Sequence, residues 1–336
     1  MINVSQKKHP SSISHEPNWK KVLRDGFKNY KDLASFLDLP ITSDITYNHF
    51  FPMRIPLGFA RRIKKGDIND PLLKQVVPLK QELINVSGFS SDPLEENRFT
   101  PIPGLLHKYK NRVLLITHPA CAVHCRYCFR REFDYTSHRI SQSDWHRIFS
   151  YIQEHTDIEE VILSGGDPLM HNTEKIIDIL QNIQKILHIS RLRIHTRIPV
   201  VLPERITSEL MSAFNDCSLQ KVMVIHANHA NEIALDVQYA LQKLVKNGFI
   251  LLNQSTLLKG VNNNAETLKH LSDVLLKSGV LPYYLHQLDK VHGAHHFRVS
   301  DREALSIHAK LKAITSGYLV PKLVNEAPNR DSKTWL

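Results

Sequence analysis

From Arg112 onward the chain alternates short apolar runs with longer segments of helical period, and that alternation restricts it to βα units on a parallel sheet. The runs that read as strands are 113–117, 161–164, 192–196, 222–226, 250–256 and 283–287. Helical segments follow at 143–155, 173–187, 206–214, 234–247, 265–278 and 301–315. Asn172 and Ser300 stand where N-caps belong, and Asn247-Gly248 is a stop signal. Six such units are too few for a closed eight-unit barrel. The pattern therefore predicts an α/β fold, a partial (β/α)6 TIM-like barrel with a splayed mouth. In barrels of this kind the chemistry sits at the C-terminal ends of the strands. There the sequence places Cys121, Gly165, Gly166, Asp167, His195, Arg197, His226, His229, Gln254, His286 and Asp289.

Residues 1–105 lack strand alternation and carry the turn signals Asp70-Pro71, Asp92-Pro93 and Pro101-Ile-Pro103-Gly104. Short amphipathic pieces lie between Trp19 and Leu39, so this part reads as a helical N-terminal extension. The expected organisation is the extension at 1–105, a barrel core at 106–320 and a short C-terminal segment at 321–336. No apolar run is long enough to span a bilayer and no signal-peptide pattern follows Met1, so a cytoplasmic protein without a membrane partner is expected. A formal charge of +10 permits nucleic acid or anionic small molecules as ligands. Lys and Arg are scattered and not striped, which favours a solvated basic surface and a phosphate or carboxylate site over a nucleic-acid interface. A metal-binding nucleic-acid protein is the remote alternative.

Four cysteines are too few for a disulfide framework, and three of them fall within eight positions, Cys121-Ala-Val-His-Cys125-Arg-Tyr-Cys128. Three thiolates on one loop saturate three irons of a four-iron cube and leave one open, whereas structural zinc takes four closed ligands. His124 would be a fourth ligand only in strained geometry, and no further Cys or His pair stands at zinc-ribbon spacing. Cys217 reads as an inert buried thiol. Ser164-Gly165-Gly166-Asp167-Pro168 follows the second strand, where glycines let backbone groups approach a ligand closely. On its own, Gly-Gly-Asp is more often a plain βα turn.

With the aromatic Tyr127 before its last cysteine, the loop resembles the Cys-x3-Cys-x2-Cys motif of the radical S-adenosylmethionine superfamily. The resemblance implies a 4Fe–4S cluster on Cys121, Cys125 and Cys128, with the methionine moiety of S-adenosyl-L-methionine on the open iron. Gly165, Gly166 and Asp167 resemble the element that holds the methionine amino group. The superfamily generates a 5′-deoxyadenosyl radical, with electrons from a donor such as flavodoxin or ferredoxin.

From about Pro101 to Lys333 the chain further resembles the lysine 2,3-aminomutase family. The matching stretches are Pro103-Gly-Leu-Leu-His107-Lys-Tyr109-Lys-Asn-Arg112, Cys125-Arg-Tyr-Cys-Phe-Arg130-Arg131, Arg197-Ile-Pro-Val-Val-Leu-Pro203, His226-Ala-Asn-His229-Ala-Asn-Glu232, Asn253-Gln-Ser255 and Ser316-Gly-Tyr-Leu-Val-Pro321. The resemblance implies conversion of L-lysine to (R)-β-lysine, with pyridoxal 5′-phosphate attached to Lys333. Read on residues alone, Lys333 is a solvated tail lysine. The resemblance instead implies a tail that folds back and closes the barrel mouth.

Lys108, Tyr109 and Arg112 match positions that cradle the cofactor phosphate, and His226 and Gln254 match further contacts to the cofactor. Without the resemblance these would read as solvated basic residues and a satisfied buried histidine. Arg130 matches the arginine for the substrate α-carboxylate, and Asp289 matches one of two acids for its ε-ammonium. The second acid departs from the family pattern in Glu326-Ala-Pro-Asn-Arg-Asp-Ser-Lys333. Either Glu326 fills the role with one more methylene, or Asp331 does. Tyr283-Tyr-Leu-His-Gln-Leu-Asp289-Lys-Val, Leu105-Leu-His-Lys-Tyr109, Asp70-Pro-Leu-Leu-Lys-Gln and a chain end close after Lys333 resemble one branch of the family. That branch makes (R)-β-lysine for a ligase that attaches it to elongation factor P. The alternative is a free-lysine enzyme of catabolism, whose members carry a C-terminal extension with more metal-binding cysteines.

Overall fold

The computed structural model describes residues 18–47, 51–328, 330 and 332–336. One sheet runs through the molecule. A hairpin of β1 (Leu105–Tyr109) and β2 (Arg112–His118) opens it. The parallel strands β3 (Glu160–Gly165), β4 (Arg191–Thr196), β5 (Gln220–Ile225), β6 (Ile250–Thr256), β7 (Val280–His286) and β8 (Lys322–Asn325) follow in chain order. A short antiparallel strand, β9 (Thr334–Trp335), ends it. β3 is buried along its whole length, as a central parallel strand covered on both faces must be.

The N-terminal part holds α1 (Trp19–Arg24), α2 (Tyr30–Leu37), α3 (Leu57–Ala60) and α4 (Pro71–Lys74). The barrel part adds α5 (Gln142–Glu154), α6 (Thr173–Gln184), α7 (Ile198–Val201), α8 (Ser208–Asn215), α9 (Leu235–Lys246), α10 (Ala265–Lys277) and α11 (Asp301–Ile314). Local chemistry explains the ends of these helices. Asn172 accepts the Lys175 N–H at the start of α6, and Ser300 accepts the Glu303 N–H at the start of α11. Gly248, at φ +79°, turns the chain out of α9. α6 buries Ile176, Ile179, Leu180 and Ile183, a stripe at helical spacing that seats it on the sheet.

All six strands expected from the sequence are present as β2 to β7, each followed by its helix. Two features go beyond the six expected units. The C-terminal segment joins the sheet: β8 is a seventh parallel strand and β9 returns beside it, which sets Lys333 against the barrel. Among its described residues the N-terminal extension is only thinly helical, because prolines at 40, 52, 56, 71 and 78 keep its helices short. It is held instead by burial. Leu33, Leu37, Ile55, Phe59 and Leu72 join the same apolar cluster as Leu163, Ile194, Ile225 and Val280 of the barrel.

The barrel remains open between β1 and β9. Side chains bridge that seam: Lys108 Nζ donates to Ala327 O at 2.9 Å, and Tyr109 Oη donates to Glu326 Oε1 at 2.9 Å.

Candidate active site

The loop after β2 carries Cys121, Cys125 and Cys128, all free and only partly exposed. Burial pushes the Cys128 thiol up to about 11 and Cys121 well above its ordinary value, and neighbouring thiolates add to both shifts. Thiols crowded and desolvated in this way ionise readily only on a cationic centre, which makes the donor set a fit for an iron–sulfur cluster. His124 is not aimed at such a centre. Its Nδ1 pairs with Pro52 O at 2.7 Å and its ring stacks on Phe51.

The turn after β3 lies directly against this loop. Gly165 has φ +128°, and a Cβ there would stand 2.6 Å from His118 O. A Cβ on Gly166 would stand 2.6 Å from Pro119 O and 2.7 Å from Ala120 O. Only glycines allow so close an approach. The Asp167 carboxylate accepts from Thr196 Oγ1 (2.7 Å), the N–H of Arg197 (2.8 Å) and the N–H of Leu169 (3.0 Å). Burial raises it to about 6 despite those bonds. Asp167 thus ties the β3 turn to the end of β4, and the Gly-Gly backbone faces the cysteine loop.

Arg130 is buried and forked onto Glu96, with Nε to Oε2 at 2.8 Å and Nη2 to Oε1 at 2.6 Å. Its Nη1 donates to Ser164 Oγ (3.2 Å) and Gly165 O (3.1 Å). Of its five N–H donors, one on Nη2 remains for a carboxylate ligand.

At the seam the two lysines and Tyr109 converge on one carboxylate. Glu326 accepts from Lys333 Nζ, from Tyr109 Oη and, at 3.5 Å, from Lys108 Nζ. Burial alone would raise Glu326, but Lys333 and then Lys108 hold it down at about 2. Arg112 lies over the Tyr109 ring at 4.2 Å. Lys333 Nζ lies 5.7 Å from the centre of the Tyr284 ring. Asp331 lies outside the described residues.

His195 on β4, His226 after β5 and His286 on β7 face the same space. Each has a buried Nε2 without a hydrogen-bond partner among the described residues. Burial holds all three neutral, with His226 and His286 near 3. Buried polar atoms left unpaired cost about 1–3 kcal/mol each, so three together favour a polar ligand among them. Gln254 on β6 is half-buried and in register with Tyr284. Burial, and then the charge of Glu326, raise Asp289 to about 7.

The space therefore brings together Lys333, Glu326, Lys108, Tyr109, Arg130, Asp289 and His226, close to the cysteine loop. Around it and the cysteine loop stand residues to which the sequence reading gave no role: Glu82, Glu96, Gln75, Asn228 and Tyr284. Glu82, Glu96 and Gln75 come from the extension, where no periodic pattern marked them.

The radical SAM superfamily pattern matches residues 115–271. The L-lysine 2,3-aminomutase of Haemophilus influenzae is 46% identical over 325 residues, covering 96% of both chains. That of Escherichia coli is 49% identical over 321 residues, covering 94% of each. That of Clostridium subterminale is 34% identical over 327 residues, covering 94% of this chain and 77% of its own. This chain belongs to the L-lysine 2,3-aminomutase family. As a member of that family it is an isomerase with a radical SAM core, and the family implies a 4Fe–4S cluster and S-adenosyl-L-methionine. Among the described residues, no helix is long and apolar enough to cross a membrane.

Proposed function

We propose that this protein converts L-lysine to (R)-β-lysine by radical chemistry with pyridoxal 5′-phosphate as second cofactor, and that the product serves to modify elongation factor P. The observation that carries the reading is the placement of Lys333. A residue near the chain end is drawn into the barrel mouth by β8 and β9 and set beside Glu326, Lys108 and Tyr109.

In this reading Cys121, Cys125 and Cys128 hold the 4Fe–4S cluster, and the backbone of Gly165 and Gly166 with Asp167 frames S-adenosyl-L-methionine. Together the bound groups supply a carbon-centred radical and an electron sink that lets nitrogen move from C2 to C3. Everything else is orientation and exclusion of water. Lys333 anchors the pyridoxal group, and Lys108, Tyr109 and Arg112 take its phosphate with a point charge, a hydroxyl and a fork. His226 and Gln254 present neutral polar atoms to it. Arg130 receives the α-carboxylate through its remaining donor, and Asp289 with Glu326 receives the ε-ammonium.

The functional division runs along the chain. Described residues of the 1–105 part, Gln75 and Glu82 among them, brace the cysteine loop, 106–320 carry the radical core, and 321–336 carry the anchoring lysine. The destination of the product is supported by the stretches around Tyr109, Asp289 and Asp70 that resemble the elongation factor P branch. A flavodoxin or ferredoxin is the proposed electron donor, and the cytoplasm is the proposed location.

Anaerobic incubation of the reduced, reconstituted protein with S-adenosyl-L-methionine, pyridoxal phosphate and L-lysine, followed by chiral chromatography, tests the reaction. (R)-β-lysine is expected; deoxyadenosine without β-lysine would rule out the substrate. Cells lacking the protein should accumulate elongation factor P without β-lysine. Fully modified factor in those cells would refute the role and favour free-lysine metabolism.

A further inference from the structure

A buried polar network converges on one of the three cysteines, and none of the roles above uses it. Arg197, just after β4, donates Nη1 to Cys125 Sγ at 2.6 Å. Its Nη2 donates to Glu232 Oε2 and to Gln75 Oε1, each at 2.8 Å. The Arg197 side chain is 7% exposed and that of Glu232 is 0%. Glu232 is itself fixed, because its Oε1 accepts the N–H of Asn228 (2.9 Å), the N–H of His229 (3.1 Å) and Gln75 Nε2 (3.1 Å). Asn228 Nδ2 donates to Gln75 Oε1 at 3.0 Å and to Tyr127 Oη at 2.7 Å. Tyr127 in turn is hydrogen-bonded to Cys125. The guanidinium lies over the rings of Phe59 and Tyr127, at 5.7 and 5.6 Å from their centres. Three segments far apart in sequence thus place a guanidinium on one sulfur: α4 with its end at Gln75, the end of β4, and the loop after β5.

This arrangement has an electrostatic consequence. Adding an electron to a cluster places more negative charge on its thiolates, and a fixed cation at one thiolate stabilises that state more than the oxidised one. In a water-poor site the effect is not screened away. Hydrogen bonds to ligating sulfurs and the net charge around a cluster are the levers a protein has on its potential.

We propose that Arg197 is a positioning residue that raises the reduction potential of the cluster through Cys125, with Glu232 as its counter-charge and Gln75 extending the control into the N-terminal extension. The proposal rests on the reading that Cys121, Cys125 and Cys128 hold a 4Fe–4S cluster. The step it governs is a one-electron transfer. A low-potential flavin or iron–sulfur donor protein loses one electron, the cluster gains it, and no bond is made or broken.

The test is a redox titration of the anaerobically reconstituted full-length protein, read by electron paramagnetic resonance of the reduced cluster, with iron and sulfide measured in each sample. Arg197→Gln should lower the ratio of reduced to oxidised cluster about tenfold at a fixed potential, equivalent to about 59 mV for one electron. Glu232→Gln should shift the ratio the other way, and Arg197→Lys, which keeps the charge, should restore most of the wild-type value. A role confined to folding would not give opposite signs. Where Arg197→Gln does not fold, Glu232→Gln decides by the sign of its shift, with Arg197→Lys staying near the wild-type value. Unchanged potentials in protein with a full complement of iron and sulfide, or shifts of both Gln variants in one direction, would overturn the proposal. Wild-type protein that takes up no cluster would instead refute the cluster reading beneath it.

Discussion

Glu82 is where the N-terminal extension grips the cysteine loop, and its removal has a calculable cost. Its carboxylate accepts Arg126 Nε at 2.9 Å, Arg126 Nη2 at 2.5 Å and Arg131 Nη2 at 2.5 Å. The side chains of Glu82 and Arg126 are 0% exposed and that of Arg131 is 3%. Arg126 and Arg131 flank Cys128, so this triad sets the path of the ligating loop. Glu82→Gln keeps the volume and removes the charge, leaving two buried guanidiniums to share one amide oxygen. Breaking a buried pair from one side costs about 3–5 kcal/mol. The amide retains about one hydrogen bond, worth about 1 kcal/mol, so a loss of about 2–4 kcal/mol is expected. At roughly 2 °C per kcal/mol for a chain of this size, the melting midpoint should fall by about 4–8 °C.

Circular dichroism melts across pH test both the size and the sign of this effect. Burial pushes the Glu82 carboxyl up, but the Arg126 and Arg131 contacts outweigh it and the pKa lies below its ordinary value. A lowered folded pKa means that the contribution is present above the unfolded value of about 4.3 and is lost as pH falls through the folded one. The gap between wild type and variant should therefore be flat from about pH 6 to 8 and shrink below about pH 4. A loss under about 1 kcal/mol near neutrality, or a gap that widens on acidification, would refute the reasoning.

Lys333→Ala should keep the cluster's absorbance and lose the pyridoxal chromophore, with Cys125→Ala doing the reverse; loss of both from either folded variant would refute separate sites. His226→Leu removes an imidazole whose buried Nε2 has no hydrogen-bond partner among the described residues. It should stabilise protein stripped of pyridoxal phosphate by about 1–3 kcal/mol while weakening binding of the cofactor about tenfold by absorbance titration, and an unchanged affinity would clear His226. Asp289, raised to about 7, becomes a carboxylate as pH rises through neutrality. Apparent KM for L-lysine should therefore fall between about pH 6 and 8, and Asp289→Asn should raise it and flatten the profile; a wild-type KM without that slope would remove Asp289 from the ammonium site.

The barrel was readable in the sequence because its signal is periodic. Val161 to Ser164 is a short apolar run and Leu192 to Thr196 an alternating one, and the helix caps at Asn172 and Ser300 can be named from residue type alone. β8 and β9 were not readable, because Lys322–Asn325 and Thr334–Trp335 are too short to show alternation and take their register from β7. The cysteine loop was readable from spacing. Its supports were not: Glu82, Glu96 and Gln75 act through contacts across 34 to 157 positions of sequence, which no local pattern encodes. Likewise Arg197 was visible only as a polar residue at a strand end and Glu232 only within a longer motif; that Arg197 joins Glu232 to Cys125 appears once the ends of β4 and β5 are side by side.

The open seam explains why the segment after β8 can be both a wall and a working part. A closed barrel would satisfy the edges of β1 and β9 with backbone hydrogen bonds and leave no room for a lysine to enter. Here the edges are joined by side chains instead, with Glu326 taking Lys333, Tyr109 and Lys108 together. Those contacts are strong because they are partly buried, with side-chain exposures of 16% for Glu326, 21% for Lys333 and 12% for Lys108. Yet each is an ion pair or a hydrogen bond that another anion can replace on the lysines, as a phosphate would on Lys108. A seam held this way can exchange partners without unzipping a sheet. The Glu326 side chain, just past β8, is long enough to reach both Tyr109 on the β1 edge and Lys333.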